Sequence, residues 1–196
     1  MPFLLLLSNR VSKLIGNISK VFVSYPFHFL FPKKRFTIPV HSKALFKGKK
    51  QKIQKNIWQT NYSNKVSLPI YLNYLFNRLM SLSYNYHYVS TEDRLIFIKK
   101  NASNEIVKAY ERLNDGAAQA DVWRVLVLQH LGGVYIDIDA HLIYPLSGII
   151  KKSDKELLIL KGTENAHTNY FIAMEKNHPI LSKAINIILE NINNDK

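Results

Sequence analysis

The 196-residue chain contains no cysteine. That excludes disulfides, zinc–thiolate sites and thiol nucleophiles, and it suits a reducing compartment. Acidic residues are missing from its first half: residues 1–91 carry 14 Lys or Arg and no Asp or Glu. Residues 92–196 hold the other 13 basic residues and all 14 acidic ones, so the net charge of +13 belongs to the first half. A half-chain so charged needs an anionic partner, whether a membrane surface, nucleic acid or an anionic substrate. Long hydrophobic runs are missing too. Phe3 to Leu7 is short and no positive charge precedes it, so a secretory signal is not expected. No stretch reaches the roughly 20 apolar residues that span a bilayer. Residues 21–32 come nearest, and Lys20 and Lys33, Lys34 and Arg35 bound them.

What is present is enough for one packed domain, with 47% hydrophobic and 12% aromatic residues. Residues 9–24 repeat apolar positions at helical spacing (Val11, Leu14, Ile15, Ile18, Val21, Phe22), with Arg10, Lys13 and Lys20 mostly off that stripe. Such a helix can lie in a headgroup layer or pack on the domain's own core. The lysine-rich stretch 33–55 reads as a linker, which puts the boundary between a basic N-terminal segment, 1–52, and a folded domain, 53–196. Within the domain, strands are predicted at 53–60, 84–90, 134–139 and 157–160. Helices are predicted at 67–82, from Thr91, at 104–113, 116–131 and 179–192. The alternation indicates an α/β domain with a mostly parallel sheet.

The chemistry concentrates in Gly116 to Pro145. Asp121 and Arg124, three apart on the predicted helix, share a face. Asp137 and Asp139, alternating with Ile138 on the predicted strand, point the same way at about 6–7 Å. They repel by roughly 2–3 kcal/mol at an effective dielectric near 20. A divalent cation or a bound cationic group removes that penalty, and the carboxyl end of a strand is where open α/β sheets gather ligands. A hard cation with carboxylate and phosphate oxygens suits departure of a nucleoside diphosphate. Four charges on a buried helix and its following strand need a purpose, since buried charge is costly unless paired or bound. Two other classes stay open. One is a non-catalytic protein that binds membrane or nucleic acid through residues 1–91. The other is a metal-dependent phosphodiesterase, for which His141 is the only close additional ligand.

Ala120-Asp121-Val122-Trp123-Arg124, then Gly132-Gly133-Val134-Tyr135-Ile136-Asp137-Ile138-Asp139 and Tyr144-Pro145-Leu146, resemble in order and spacing the sugar-binding region of the DXD-containing glycosyltransferases of family 32. The large glucosylating toxins are similar more distantly. Ile57-Trp58-Gln59, Tyr86-His87-Tyr88 before Glu92-Asp93, Asn169 and His178-Pro179 extend the likeness over about residues 53–182. The resemblance implies a GT-A-like fold and metal-dependent, retaining transfer from a UDP- or GDP-linked sugar to a glycan or lipid-linked acceptor, as in polysaccharide biosynthesis. It implies Mn2+, with Mg2+ as the alternative. Asp139 would ligate the metal directly; Asp137 would contact ribose and sugar and reach the metal through water. Asp121 and Arg124 would hold sugar hydroxyls, Trp58 would stack on the base, and Tyr135 and Asn169 would line the donor pocket. With the basic N-terminus, this implies a cytoplasmic protein, peripheral on the inner face of an anionic membrane, with no nucleic-acid partner. Two departures stand out: the first strand's motif reads Ile53-Gln54-Lys55-Asn56-Ile57-Trp58, without the usual Pro and His, and the chain ends at Lys196, where relatives continue.

Overall fold

A computed structural model describes residues 2–162 and 166–194. Its frame is a six-stranded sheet: β2 (His41–Ser42), β5 (Asn85–Val89), β3 (Asn56–Thr60), β6 (Gly133–Ile136), β8 (His167–Met174) and β7 (Glu156–Leu160), in that order across the sheet. β3 runs parallel to both β5 and β6, while β2, β8 and β7 join antiparallel to their neighbours. Four of the six strands therefore point one way, with the parallel pairs at the centre. A second, two-stranded sheet pairs β1 (Phe36–Thr37) with β4 (Lys65–Val66).

Alternation along the strands builds two cores. Ile57, Tyr86, Tyr88, Val134, Ile136, Phe171 and Ala173 face one side, where α3 (Leu68–Leu79) covers them with Tyr74. Trp58, Tyr135, Ile172 and Met174 face the other, under α4 (Thr91–Asn101), α5 (Asn104–Arg112), α6 (Gly116–Leu131) and α8 (Pro179–Asn193). α6 lies deepest, with Val122 to Leu128 buried without a break. Local chemistry sets the helix starts. Ser90 and Asp93 form a reciprocal capping box at α4. The Asp115 carboxylate accepts from the N–H groups of Ala117 and Ala118 at α6. Gly132 and Gly133 turn the chain from α6 into β6 with φ of 61° and 115°. A Cβ on Gly133 would stand 2.5 Å from the Asn56 carbonyl oxygen, so glycine is required by space as well as by backbone.

Three expectations change. The amphipathic helix expected at 9–24 is part of a longer run: α1 (Pro2–Ser19), a π-helical segment (Lys20–Ser24) and α2 (Tyr25–Leu30). The expected linker carries β1 and β2, and Ile38 is fully buried in the α3-side core, so folded structure begins well before Ile53. Backbone pairing decided this, and the lysine-rich composition hides it. The expected strand 134–139 stops at Ile136. β8 and the short α7 (Leu146–Ile149) were not anticipated; β8 is exposed at its start and buried on both faces at its end, so it shows no clean alternation. No helix among the described residues is long and apolar enough to cross a membrane.

Candidate active site

Just past β6 the chain makes a turn in which Ala140 N–H donates to the Asp137 carbonyl at 3.1 Å. Asp137 and Asp139 sit on this turn rather than on a strand, so their carboxylates are not obliged to point the same way. The turn's backbone is held from three sides. Tyr170 O accepts from Asp137 N–H at 2.9 Å. The buried Gln59 amide donates to Asp137 O at 3.1 Å. From α3, Asn73 donates to Ile138 O at 2.8 Å and Ala140 O at 2.9 Å. One turn further on, the fully buried Asn77 donates to Ala140 O at 2.9 Å and accepts from Leu142 N–H at 2.8 Å. Sequence reasoning missed this clamp. Its signal was two asparagines four apart on a helix face that otherwise packs apolar side chains.

Arg124 is the electrostatic centre. Its guanidinium is buried and forms an ion pair with Asp121. It donates to the Asn169 carbonyl at 2.6 Å, stands 3.5 Å from the Asp137 carboxylate, and lies over the Tyr135 ring at 4.5 Å. Tyr135 O–H donates to the same Asp137 oxygen at 2.7 Å. Asp137 is thus aimed by a phenol and a cation at once. Burial pushes the Tyr135 phenol well above its ordinary range; Arg124 opposes this and the hydrogen bond to Asp137 adds to it. The phenol keeps its proton and remains a donor. Asp121 is raised from its usual value, first by burial and then by Asp137 and Asp115, against the pull of Arg124.

The structure therefore brings Asp121, Arg124, Tyr135, Asp137 and the Asn169 backbone into one constellation. Two expectations need correcting. Of the four charges expected to be buried, only Arg124 is; Asp121 is half-exposed and Asp139 exposed. Asp139 faces a different space, a cleft shared with α3, and its carboxylate has no hydrogen-bond or ion-pair partner among the described residues. Trp58 lies apart. It is 7% exposed, donates its indole N–H to Gly132 O at 2.9 Å, and stacks one face on His87 at 4.2 Å. That is a packing role that braces the Gly132-Gly133 turn. His87 is sandwiched between Trp58 and His41, and burial, followed by His41, lowers its imidazole to about 4. His178 caps α8 and meets Glu156 at 3.0 Å, which makes it architectural.

The donor set can be tested against a cation. Among the described residues no three His, Asp or Glu side chains cluster. The turn offers two carboxylates, one fixed and one unpartnered, which suits a hard cation that takes its other oxygens from phosphates.

Residues 69–156 match the family model described as "Glycosyltransferase sugar-binding region containing DXD motif". The matched span starts in α3 with its two asparagines and closes at the start of β7, so it contains the constellation except Asn169. Among curated proteins nothing matches significantly. Among solved structures, the chain is similar in fold to one titled "PaToxG Glycosyltransferase", with a TM-score of 0.58, 17% identity, and coverage of 95% of this chain and 73% of that one.

Proposed function

We propose that the chain is a glycosyltransferase that moves a sugar, a hexose or a close relative, from a UDP- or GDP-linked donor to a glycan or lipid-linked acceptor. The observation that carries this reading is the turn at residues 137–140, clamped by Gln59, Asn73 and Asn77, with one carboxylate tied to Arg124 and the other unengaged. It coincides with the matched sugar-binding region. Asp139 would hold a divalent cation, Mn2+ or Mg2+, with Asp137 supporting it from the same turn while contacting the donor's ribose and sugar. When bound, that cation neutralises charge on a departing diphosphate.

The chain's own residues do the rest. Asp121 and Arg124 hold sugar hydroxyls by charge-assisted hydrogen bonds, and Arg124 adds positive potential beside the leaving group. Tyr135 keeps Asp137 oriented, and Asn169 borders the donor. A retaining, front-face course needs no strongly basic side chain, because the acceptor hydroxyl can lose its proton toward the departing phosphate. In this reading the protein works at the cytoplasmic face of an anionic membrane, and the exposed helical run at residues 2–30 lies in the headgroup layer.

Purified protein with Mn2+ and a panel of UDP- and GDP-sugars should hydrolyse one donor slowly, releasing nucleoside diphosphate and free sugar. Asp139→Asn should lower that rate at least about 100-fold, the scale of losing a charge stabiliser of the leaving group, with an unchanged thermal melt. Undiminished turnover in the variant defeats the assignment. Release of nucleoside monophosphate and sugar phosphate instead would identify a phosphodiesterase.

A further inference from the structure

Asp139 lines a cleft of about 810 Å³ between the N-terminal helical run and α3. That lies within the roughly 300–1,000 Å³ usual for ligand pockets. Its walls are largely apolar: Ile15 and Gly16 on one side face Leu72, Leu75, Phe76 and Leu79 on the other. Leu75 and Leu79 stay exposed there. Apolar surface left open beside a polar centre marks a place where an apolar partner binds.

Three features narrow the occupant. First, both walls belong to helices, and the N-terminal one turns its remaining apolar residues, Phe22 and Phe29 among them, outward to solvent. Second, the ionised groups lining the cleft are Lys20 and Asp139, so an anionic group on the bound molecule is matched by Lys20. Third, the helix changes at Lys20–Ser24 to π-helical geometry, and both Lys20 and Ser24 line the cleft. Such segments are rare and concentrate at functional sites.

We infer that this cleft holds the hydrocarbon chain of an anionic amphiphile that serves as the acceptor, its charge beside Lys20 and its hydroxyl-bearing head at Asp139. This rests on the glycosyltransferase reading and specifies it. The donor is held from the α6 side by Asp121, Arg124 and Asp137, the acceptor's hydrocarbon lies on the α3 side, and the two reacting groups meet at Asp139, which lines the cleft.

The test uses the full chain with ethyl, octyl and dodecyl phosphate, each below its micelle threshold, and measures binding by calorimetry and inhibition of donor hydrolysis. Affinity should rise at least tenfold from ethyl to dodecyl phosphate, and dodecyl phosphate should inhibit hydrolysis at its binding concentration. Gly16→Trp should abolish the dependence on chain length. Gly16 lines the cleft and a Cβ there meets nothing within 4 Å, so a larger side chain can be added without displacing the backbone. Leu14→Trp, on the same helix outside the lining, should retain the dependence, and Lys20→Gln should weaken all three phosphates. Flat affinity along the series overturns the proposal, as does equal chain-length dependence in Gly16→Trp, or binding that leaves hydrolysis untouched. If no nucleotide sugar is hydrolysed at all, the glycosyltransferase reading itself fails, and the acceptor assignment falls with it even where the chain binds.

Discussion

Arg124 and His87 show how single side chains divide the work between site and scaffold. Arg124 is a buried cation whose two terminal nitrogens are met within 4 Å by Asp121, Asp137 and the Asn169 carbonyl, while its buried Nε has no hydrogen-bond partner among the described residues. His87 is the reverse, a ring kept neutral by its surroundings, with a buried Nε2 that has no hydrogen-bond partner. Its lowered value of about 4 has a defined consequence for stability. Below the ordinary imidazole value near 6.5, the unfolded chain takes up a proton that the folded ring refuses. Stability is therefore fully present above about pH 6.5, declines as pH falls toward 4, and from this group changes no further below that. Allowing for partial solvent contact, the loss is about 1–3 kcal/mol. His87→Phe keeps a ring against Trp58 and removes the titration. Urea midpoints at pH 7.5 and 4.5 should therefore converge in the variant by that amount relative to wild type. An identical pH dependence in both proteins would assign the acid sensitivity elsewhere.

At the scale of elements, the 137–140 turn owes its shape to α3 more than to its own sequence. Asn77 is fully buried and spends both ends of its amide on the loop. Asn77→Leu would leave the Leu142 N–H without its partner, at about 1–3 kcal/mol, while the Ala140 carbonyl keeps its bond from Asn73. A drop in thermal midpoint together with a higher KM for donor is expected. Asn73→Ala, at a half-exposed position, should raise KM with a smaller change in melting. If KM stays fixed in both variants, the clamp serves the fold alone. These elements also show what could be read from sequence. Helices α3, α5, α6 and α8 were legible because caps and Pro or Gly signals bracket periodic runs, as Ser67-Leu68-Pro69 and Gly132-Gly133 do. The pairing of Asp121 with Arg124 followed from helical spacing alone. The end of β6 was not legible: Tyr135-Ile136-Asp137-Ile138-Asp139 alternates like a strand, but the clamp from Gln59 and Asn73, distant in sequence, turns the chain at Asp137. Local pattern carries no information about partners dozens of residues away. Nor could it show that His41-Ser42, in a lysine-rich stretch, would pair along β5.

The whole molecule is electrically divided, and the fold does not mix the halves evenly. All the acidic residues lie after residue 91, while the helical run at 2–30 carries Arg10, Lys13 and Lys20 beside exposed Leu14, Ile18 and Phe22. A helix that keeps apolar side chains in water has no folding reason to do so. In a headgroup layer the same side chains are buried and the cations sit near anionic lipid. Deleting residues 1–52 is a poor test of this, since it would also remove β2 from the main sheet and Ile38 from the core. Charge removal leaves the fold intact. Each Lys or Arg near an anionic surface contributes about 1 kcal/mol. Replacing Arg10 and Lys13 together by Gln should therefore weaken flotation with phosphatidylserine vesicles roughly 30-fold, while binding to neutral phosphatidylcholine vesicles, carried by the apolar side chains alone, stays near its original level. Raising salt should reproduce the effect of the substitutions on the wild type. Flotation that is indifferent to both would mean that these cations do not face lipid, and the helix's exposed apolar side would then have to meet a protein surface instead.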